Sequence, residues 1–570
     1  MKKLSLAAPC LPLLVALLSV AVPVRAQSPA VPRPMEDVNK VRDLTLDSIN
    51  IANTARPVPG SSRVGDHPVL FLVGNSTMRT GTLGNGNNGQ WGWGRYASMY
   101  FDASRITVEN HALGGTSSRT FYRRLWPAVL EGVRPGDWVL VELGHNDNGP
   151  YDSGRARASI PGIGTDSLVV TIKETGEEEA VYSYGEYMRR FIRDVRAKGA
   201  HPVLCSLTPR NSWEADGTVT RKTETFTRWQ KEICAEMNVP FVDLEGTSAR
   251  RFQSFGPHKM AYHFYLDNIH SSAFGARHNA LCVAEAIAAC PELELAQYLT
   301  PRDDWYPRYD VPAADAWKPT VYFCGDSTMQ NEDNPDKADS MWGWANETLV
   351  TALFKTIRKG EHKGESAVRC VNAAKAGRSA RTYLDEGRWE KVYNSLRPGD
   401  YVVIQFGHND MGDIAGGKAR ADINGAADSS HVYRLQSDRT YKVVYSYGWY
   451  LRKFIEDVRE KGATPIVCSM TPRNEWPDAK HIERRPGSCA TWAREVAEEQ
   501  GVTFIDIHNL TADWLDAHCA AKTPEDSKAK AAAWYQRDHT HTSLLGAKLN
   551  GQMFAKGLKA SDCSLKEYLK

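Results

Sequence analysis

Val321-Tyr322-Phe323-Cys324-Gly325-Asp326-Ser327-Thr328-Met329 runs apolar and β-prone residues into Gly-Asp-Ser-Thr. That is the pattern of a buried strand ending in a turn that presents one hydroxyl. Val69-Leu70-Phe71-Leu72-Val73-Gly74-Asn75-Ser76-Thr77-Met78 has the same shape. A lone Gly-x-Ser turn is commonplace, because Gly and Ser punctuate loops of every kind. The weight therefore falls on the residues downstream of each copy.

Those downstream residues also repeat. The stretch opening Tyr182-Ser183-Tyr184-Gly185 reappears from Tyr445, and both copies run into Cys-Ser-x-Thr-Pro-Arg-Asn, ending at Asn211 and Asn474. Met188, Phe191, Ile192 and Val195 fall at helical spacing, as do Leu451, Phe454, Ile455 and Val458, so each copy predicts a helix with one buried face. Val69–Val73, Ile106–Asn110, Trp138–Leu143, Pro202–Ser206 and Pro240–Asp243 read as strands. Such strand–helix alternation predicts a parallel sheet flanked by helices. The chain is expected to hold two α/β domains, 67–299 and 320–570, each long enough to bury its own core. A Pro- and aromatic-rich linker, 300–319, is expected to pack on a domain, and a leader, 27–66, to carry a short helix within Met35–Ala55.

Composition narrows the function. Across 570 residues, 42% are hydrophobic and 24% charged, with a net charge of +2, which implies no strongly basic face and argues against nucleic acid as a partner. The 16 Trp suit the apolar faces of sugars, although core packing is the commoner use of the residue. Lys2 and Lys3 precede an apolar run from Leu4 to Val24, and Val24-Arg25-Ala26 fits a small-x-small cleavage site. This predicts a signal peptide over 1–26 and a secreted or periplasmic protein with no membrane contact after processing. There is no Cys-x-x-Cys spacing, so a structural zinc site has no support. Cys205 and Cys468 lie in strand patterns and read as buried thiols. No phosphate loop, metal-ligand cluster or cofactor motif is present.

The copies share four further features. They are Ser76 and Ser327 after the first strand, loops containing Gly115 and Gly377 after the second, Gly144-His145-Asn146-Asp147 and Gly407-His408-Asn409-Asp410 after the third, and Asp267-Asn268-Ile269-His270 and Asp538-His539-Thr540-His541 near each end. A serine hydroxyl needs an adjacent base to act as nucleophile. A histidine supplies it, and a carboxylate steadies the imidazolium. The oxyanion of acyl transfer needs fixed donors, available from the Ser N–H, the Gly115 or Gly377 N–H, and the Asn146 or Asn409 amide.

These four blocks resemble those of SGNH (GDSL-like) hydrolases. The finer text Asn85-Gly-Asn-Asn-Gly-Gln-Trp-Gly-Trp-Gly94, Gly144-His-Asn-Asp147, Ile160-Pro-Gly-Ile-Gly164 and Thr208-Pro-Arg-Asn211 is similar to the rhamnogalacturonan acetylesterases of carbohydrate esterase family 12. The resemblance covers nearly the whole mature chain, twice. It implies tandem flavodoxin-like three-layer domains and a secreted esterase that removes acetyl groups from plant cell-wall polysaccharide or oligosaccharide. By it, Ser76 and Ser327 are nucleophiles, His270 and His541 bases, and Asp267 and Asp538 their orienting carboxylates. Gly115, Asn146, Gly377 and Asn409 line the oxyanion holes, and no cofactor or metal takes part. Alternatives are another ester (xylan acetyl, pectin methyl or lipid) or one copy serving as a non-catalytic carbohydrate-binding module.

Several residues carry two readings. Asn75 stands where the second copy has Asp326, which removes a charge beside the nucleophile. Asn331–Lys337 replaces the Gly/Asn-rich loop of the first copy. His145 and His408 are expected to be structural, His539 to pack or face substrate, and Asp147 and Asp410 to hold their loops through backbone hydrogen bonds. Trp91, Trp93, Trp342 and Trp344 stack on sugar or pack in the core. Arg210 and Arg473 meet uronic-acid carboxylates or make structural salt links.

Overall fold

The computed structural model describes residues 56–570 apart from 82, 83, 87, 88, 222, 266, 331–340 and 439. The expected signal peptide, most of the leader with its helix, and Asn331–Lys337 lie outside the described residues.

Each copy is built on a five-stranded parallel sheet. The first contains β1 (Val69–Gly74), β2 (Thr107–Asn110), β3 (Trp138–Glu142), β6 (His201–Cys205) and β7 (Phe241–Val242), in the order β2-β1-β3-β6-β7. The second contains β8 (Thr320–Gly325), β9 (Arg369–Asn372), β10 (Tyr401–Gln405), β13 (Thr464–Cys468) and β14 (Thr503–Ile505), in the corresponding order β9-β8-β10-β13-β14. β1 and β8 are buried along their whole length, as central strands covered on both faces must be. Their registers agree: Leu70 pairs with Trp138 and Val321 with Tyr401. In this order the chain passes from β1 to β2 on one side and then crosses to β3 on the other. The crevice beyond the carboxyl ends of β1 and β3 is thus the switch point where such sheets bind ligands. The equivalent crevice in the second copy lies beyond β8 and β10.

The helices follow the expected pattern. Tyr184–Ala197 buries Met188, Phe191, Ile192 and Val195, and Tyr447–Glu460 buries Leu451, Phe454, Ile455 and Val458. Ser183 and Ser446 cap them by accepting from the Glu186 and Trp449 N–H groups, meeting donors that a helix start leaves unpaired. Each sheet carries a hydrophobic core on either face. Cys205 and Cys468 are buried free thiols within them. In the linker, Trp305 is buried in a first-copy core, while the Tyr309 N–H donates to Ser395 Oγ of the second copy at 2.7 Å.

Sequence reasoning missed one element in each copy. Antiparallel hairpins β4–β5 (Ser167–Thr171 and Glu178–Tyr182) and β11–β12 (Ser430–Arg434 and Tyr441–Tyr445) precede the long helices. The second hairpin leans on the first copy: the Tyr441 N–H donates to Asn85 O at 2.8 Å, and Trp91 Nε1 donates to Tyr441 O at 3.1 Å. Lys259 of the first copy also pairs with Asp457 at 2.8 Å and with Glu460.

Candidate active sites

Ser76 stands two residues beyond the end of β1, at the start of a tight turn in which the Met78 and Arg79 N–H groups donate to Asn75 O. The loop carrying Asp267 and His270 comes to it from near the end of the domain. His270 Nδ1 donates to Asp267 Oδ2 at 2.6 Å, leaving Nε2 to accept from Ser76 Oγ at 2.9 Å. The second copy repeats this: His541 Nδ1 to Asp538 Oδ2 at 2.8 Å, and Ser327 Oγ to His541 Nε2 at 2.9 Å. The short Asp-x-x-His loop closes on itself, because the Asp267 Oδ1 atom accepts the Ile269 and His270 N–H groups and Asp538 Oδ1 accepts those of Thr540 and His541. Burial pulls both carboxyls upward. The ring and backbone donors of His270 and His541 outweigh it and hold Asp267 and Asp538 at about 2. Both carboxylates are ionised at neutral pH.

The remaining expected residues surround each serine. Gly115 and Gly377 adopt φ of +80° and +77°, a left-handed backbone suited to residues without a Cβ. A Cβ on Gly114 would lie 3.7 Å from the Ser76 Cβ, so this loop runs beside that serine. Asn146 Nδ2 donates to Thr116 O at 2.9 Å and Asn409 Nδ2 to Arg378 O at 3.1 Å. Each amide therefore keeps a second proton unengaged among the described residues. The N–H groups of Ser76, Gly115, Ser327 and Gly377 donate to nothing among the described residues. Each site thus holds a hydroxyl on a base and three unengaged donors, the parts needed for acyl transfer.

Residues 72–278 and again 323–549 match the GDSL-like lipase/acylhydrolase family. The chain belongs to that family. It is a serine esterase by membership, with the fold present twice. A rhamnogalacturonan acetylesterase of Emericella nidulans is 31% identical over 44% of this chain and 89% of its own length. From Bacillus subtilis, a probable rhamnogalacturonan acetylesterase, YesY, is 31% identical over 38% of this chain and 91% of its own. The rhamnogalacturonan acetylesterase RhgT of the same organism is 27% identical over 44% and 93%. Each match spans about the length of one copy.

Around these GDSL-like centres, other residues have mainly supporting places. His145 Nε2 lies 3.2 Å from Thr208 Oγ1, and His408 Nε2 3.2 Å from Thr471 Oγ1. Burial, with Arg473 and His508 nearby, keeps His408 well below the usual imidazole range. Asp147 accepts the Ser118 N–H at 3.1 Å and Asp410 the Ala380 N–H at 2.7 Å, pinning the third loop to the helix after the second. Trp93 and Trp344 are wholly buried and pack in the core. Trp91 is buried beneath the second copy's hairpin, whereas Trp342 is half-buried. His539 pairs with Glu475 at 3.3 Å and does not reach Ser327's base position.

Two supports escaped sequence reasoning. Arg157 Nη1 donates to Gly115 O at 3.0 Å, and Arg420 Nη1 to Gly377 O at 3.2 Å, so a guanidinium orients each glycine loop. The signal was an Ala-Arg-Ala repeated at 156–158 and 419–421; Ala156 and Ala419 share positive φ values of 41° and 45°. The second support is a buried polar layer beneath each serine. Asn75 Oδ1 accepts from the Thr77 N–H and Oγ1 at 3.2 and 3.0 Å; Asp326 Oδ1 accepts from those of Thr328 at 2.9 and 2.8 Å. The next residue in that layer is Glu142 at the end of β3, but Gln405 at the end of β10. The Asn75–Asp326 difference is therefore one half of a pair of differences, and the first copy retains a buried carboxyl beside the Ser76 turn.

Proposed function

We propose that both sites are Ser-His-Asp centres that remove acetyl groups from a pectic, rhamnogalacturonan-like polysaccharide, and that the protein works after export. The observation that carries this reading is the 2.9 Å Oγ–Nε2 contact, found at Ser76–His270 and at Ser327–His541 beside unengaged donors. The serine Oγ attacks the acetyl carbonyl as Nε2 takes its proton. The Asp267 or Asp538 carboxylate holds the resulting imidazolium, and Nε2 returns the proton to the departing sugar oxygen. The Ser N–H, the Gly115 or Gly377 N–H and the second Asn146 or Asn409 proton bind the oxyanion. Water then repeats the sequence on the acetyl-enzyme and releases acetate.

The polysaccharide assignment rests on the relatives' substrate and on two arginines. Arg210 and Arg473 are half-buried, and their Nε atoms find no partner among the described residues. The next residue of each, Asn211 or Asn474, donates its N–H to the Asp-x-x-His loop at 2.8 or 2.6 Å. A guanidinium placed there with no ion pair among the described residues suits a uronate carboxylate on the substrate. The test is acetate release from acetylated rhamnogalacturonan, homogalacturonan and xylan by the mature protein and by the double variant Ser76→Ala/Ser327→Ala. Release from the rhamnogalacturonan that vanishes in the folded double variant is expected. Undiminished turnover by that variant, or release confined to xylan, would overturn the mechanism or the substrate respectively.

A further inference from the structure

We infer that the residue pairs Asn75–Glu142 and Asp326–Gln405 are two solutions to one requirement, a one-way hydrogen-bond chain through a threonine that positions the nucleophile. This rests on the assignment of Ser76 and Ser327 as nucleophiles. In the second copy the direction is unambiguous. Gln405 Nε2 can only donate, and it donates to Thr328 Oγ1 at 2.8 Å; the Thr328 hydroxyl then donates to Asp326 Oδ1 at 2.8 Å. Trp344 Nε1 fixes the amide's orientation by donating to Gln405 Oε1 at 2.8 Å.

The first copy has the same atoms in the same places, but the carboxyl has moved to the other end. Thr77 Oγ1 lies 3.0 Å from Asn75 Oδ1 and 3.1 Å from Glu142 Oε1. One hydroxyl proton cannot serve two acceptors. If Glu142 carries a proton, it donates to Thr77 Oγ1 as Gln405 Nε2 does to Thr328, and Thr77 is free to donate to Asn75. Trp93 Nε1 donates to Glu142 Oε2 at 2.9 Å and the Thr208 N–H to Oε1 at 3.0 Å, holding the group as Trp344 holds Gln405. Full burial pushes the Glu142 carboxyl up to about 7 against the pull of these donors, and His145 Nε2 stands 3.9 Å from it. Both arrangements place one carboxyl in the layer, and all four residues are wholly buried.

The consequence is that each pair changes only as a unit. Asn75→Asp alone, or Gln405→Glu alone, sets two carboxyls against one threonine hydroxyl, loosening the turn that aims Ser76 or Ser327. The experiment uses the full chain with one site silenced. In a Ser327→Ala background, Asn75→Asp and Asn75→Asp/Glu142→Gln are compared with their parent. In a Ser76→Ala background, Gln405→Glu and Asp326→Asn/Gln405→Glu are compared likewise. Acetate release gives kcat and KM, labelling by a fluorophosphonate gives serine reactivity, and thermal unfolding reports the fold.

Each single change is expected to lower kcat and labelling rate about tenfold or more, with KM nearly unchanged, since a small misdirection of a reacting atom suffices. Each paired swap should recover most of that loss. A single variant as fast as its parent, or a paired swap no better than its single, overturns the inference. If the singles do not fold, the paired swaps decide it: failure to restore folded, reactive protein is equally fatal. Activity surviving in the Ser76→Ala/Ser327→Ala double variant would instead overturn the nucleophile assignment.

Discussion

Replacing Asn409 by Ala probes the proposed oxyanion hole of the second site with little else disturbed. Asn409 is 7% exposed and donates one amide proton to Arg378 O at 3.1 Å, so truncation has two separable effects. The carbonyl of Arg378 loses a neutral hydrogen bond, about 1 kcal/mol of stability, or a melting shift of about 2–4 °C for a domain of this size. The second amide proton has no partner among the described residues, and in the proposed mechanism its loss is felt only where charge develops on the substrate oxygen. Removing such a donor lowers kcat by about 10²–10³, while KM changes little because the contact forms mainly in the transition state. The assay is acetate release by Asn409→Ala in a Ser76→Ala background, where only Ser327 can turn over. A loss confined to KM would move Asn409 from the oxyanion hole to ground-state binding. An unchanged kcat would refute the geometry argued from its free proton.

Asp538→Asn in the same background should lower kcat by about 10²–10³, less than the roughly 10⁴ of a fully buried triad carboxylate, because the 42% exposed side chain lets water hydrate the imidazolium; steady-state kinetics check it. Arg210→Gln with Arg473→Gln should raise KM roughly tenfold on a uronate-bearing substrate, the size of one charged hydrogen bond, and leave a neutral acetylated xylo-oligosaccharide unaffected. Burial lifts Asp410 to about 6, and burial plus the neighbouring Asp410 lifts Asp422 well above its usual range. Both folded values exceed the unfolded ones, so their stabilisation is full at acid pH and is lost as pH rises, through about 6 for Asp410 and higher still for Asp422. The first copy has Ser159 at this place, donating to Asp147 at 2.9 Å. Asp422→Ser should therefore raise stability by about 1–3 kcal/mol at pH 8 and change little at pH 5, measured by thermal unfolding at both.

The duplication, the α/β layering and the Ser, Gly, Asn and Asp-x-x-His blocks were legible in the sequence, because each is local. A buried strand declares itself by an unbroken apolar run, a helix by its spacing, and a tight loop by its glycine. The Asp-x-x-His spacing common to both copies singles out His541 rather than His539, and it is His541 Nε2 that lies 2.9 Å from Ser327 Oγ. The hairpins were not legible: Ser167–Thr171 has a half-exposed, short alternation, and its pairing with Glu178–Tyr182 depends on register rather than on composition. Nor was it legible that the second hairpin covers Trp91 of the first copy.

Tertiary structure alone decided what Asn75 means. Read along the chain, it is a charge lost from the nucleophile turn. In the fold, the end of β3 brings Glu142 to the same threonine hydroxyl, and β10 brings Gln405 to its counterpart. The two positions of each pair are far apart in sequence and joined only by strand pairing between β1 and β3 or β8 and β10. Hydrogen-bond direction also belongs to atoms rather than to residue types, so the pairing of Asn with Glu and of Asp with Gln has physical meaning only once both ends reach the hydroxyl between them.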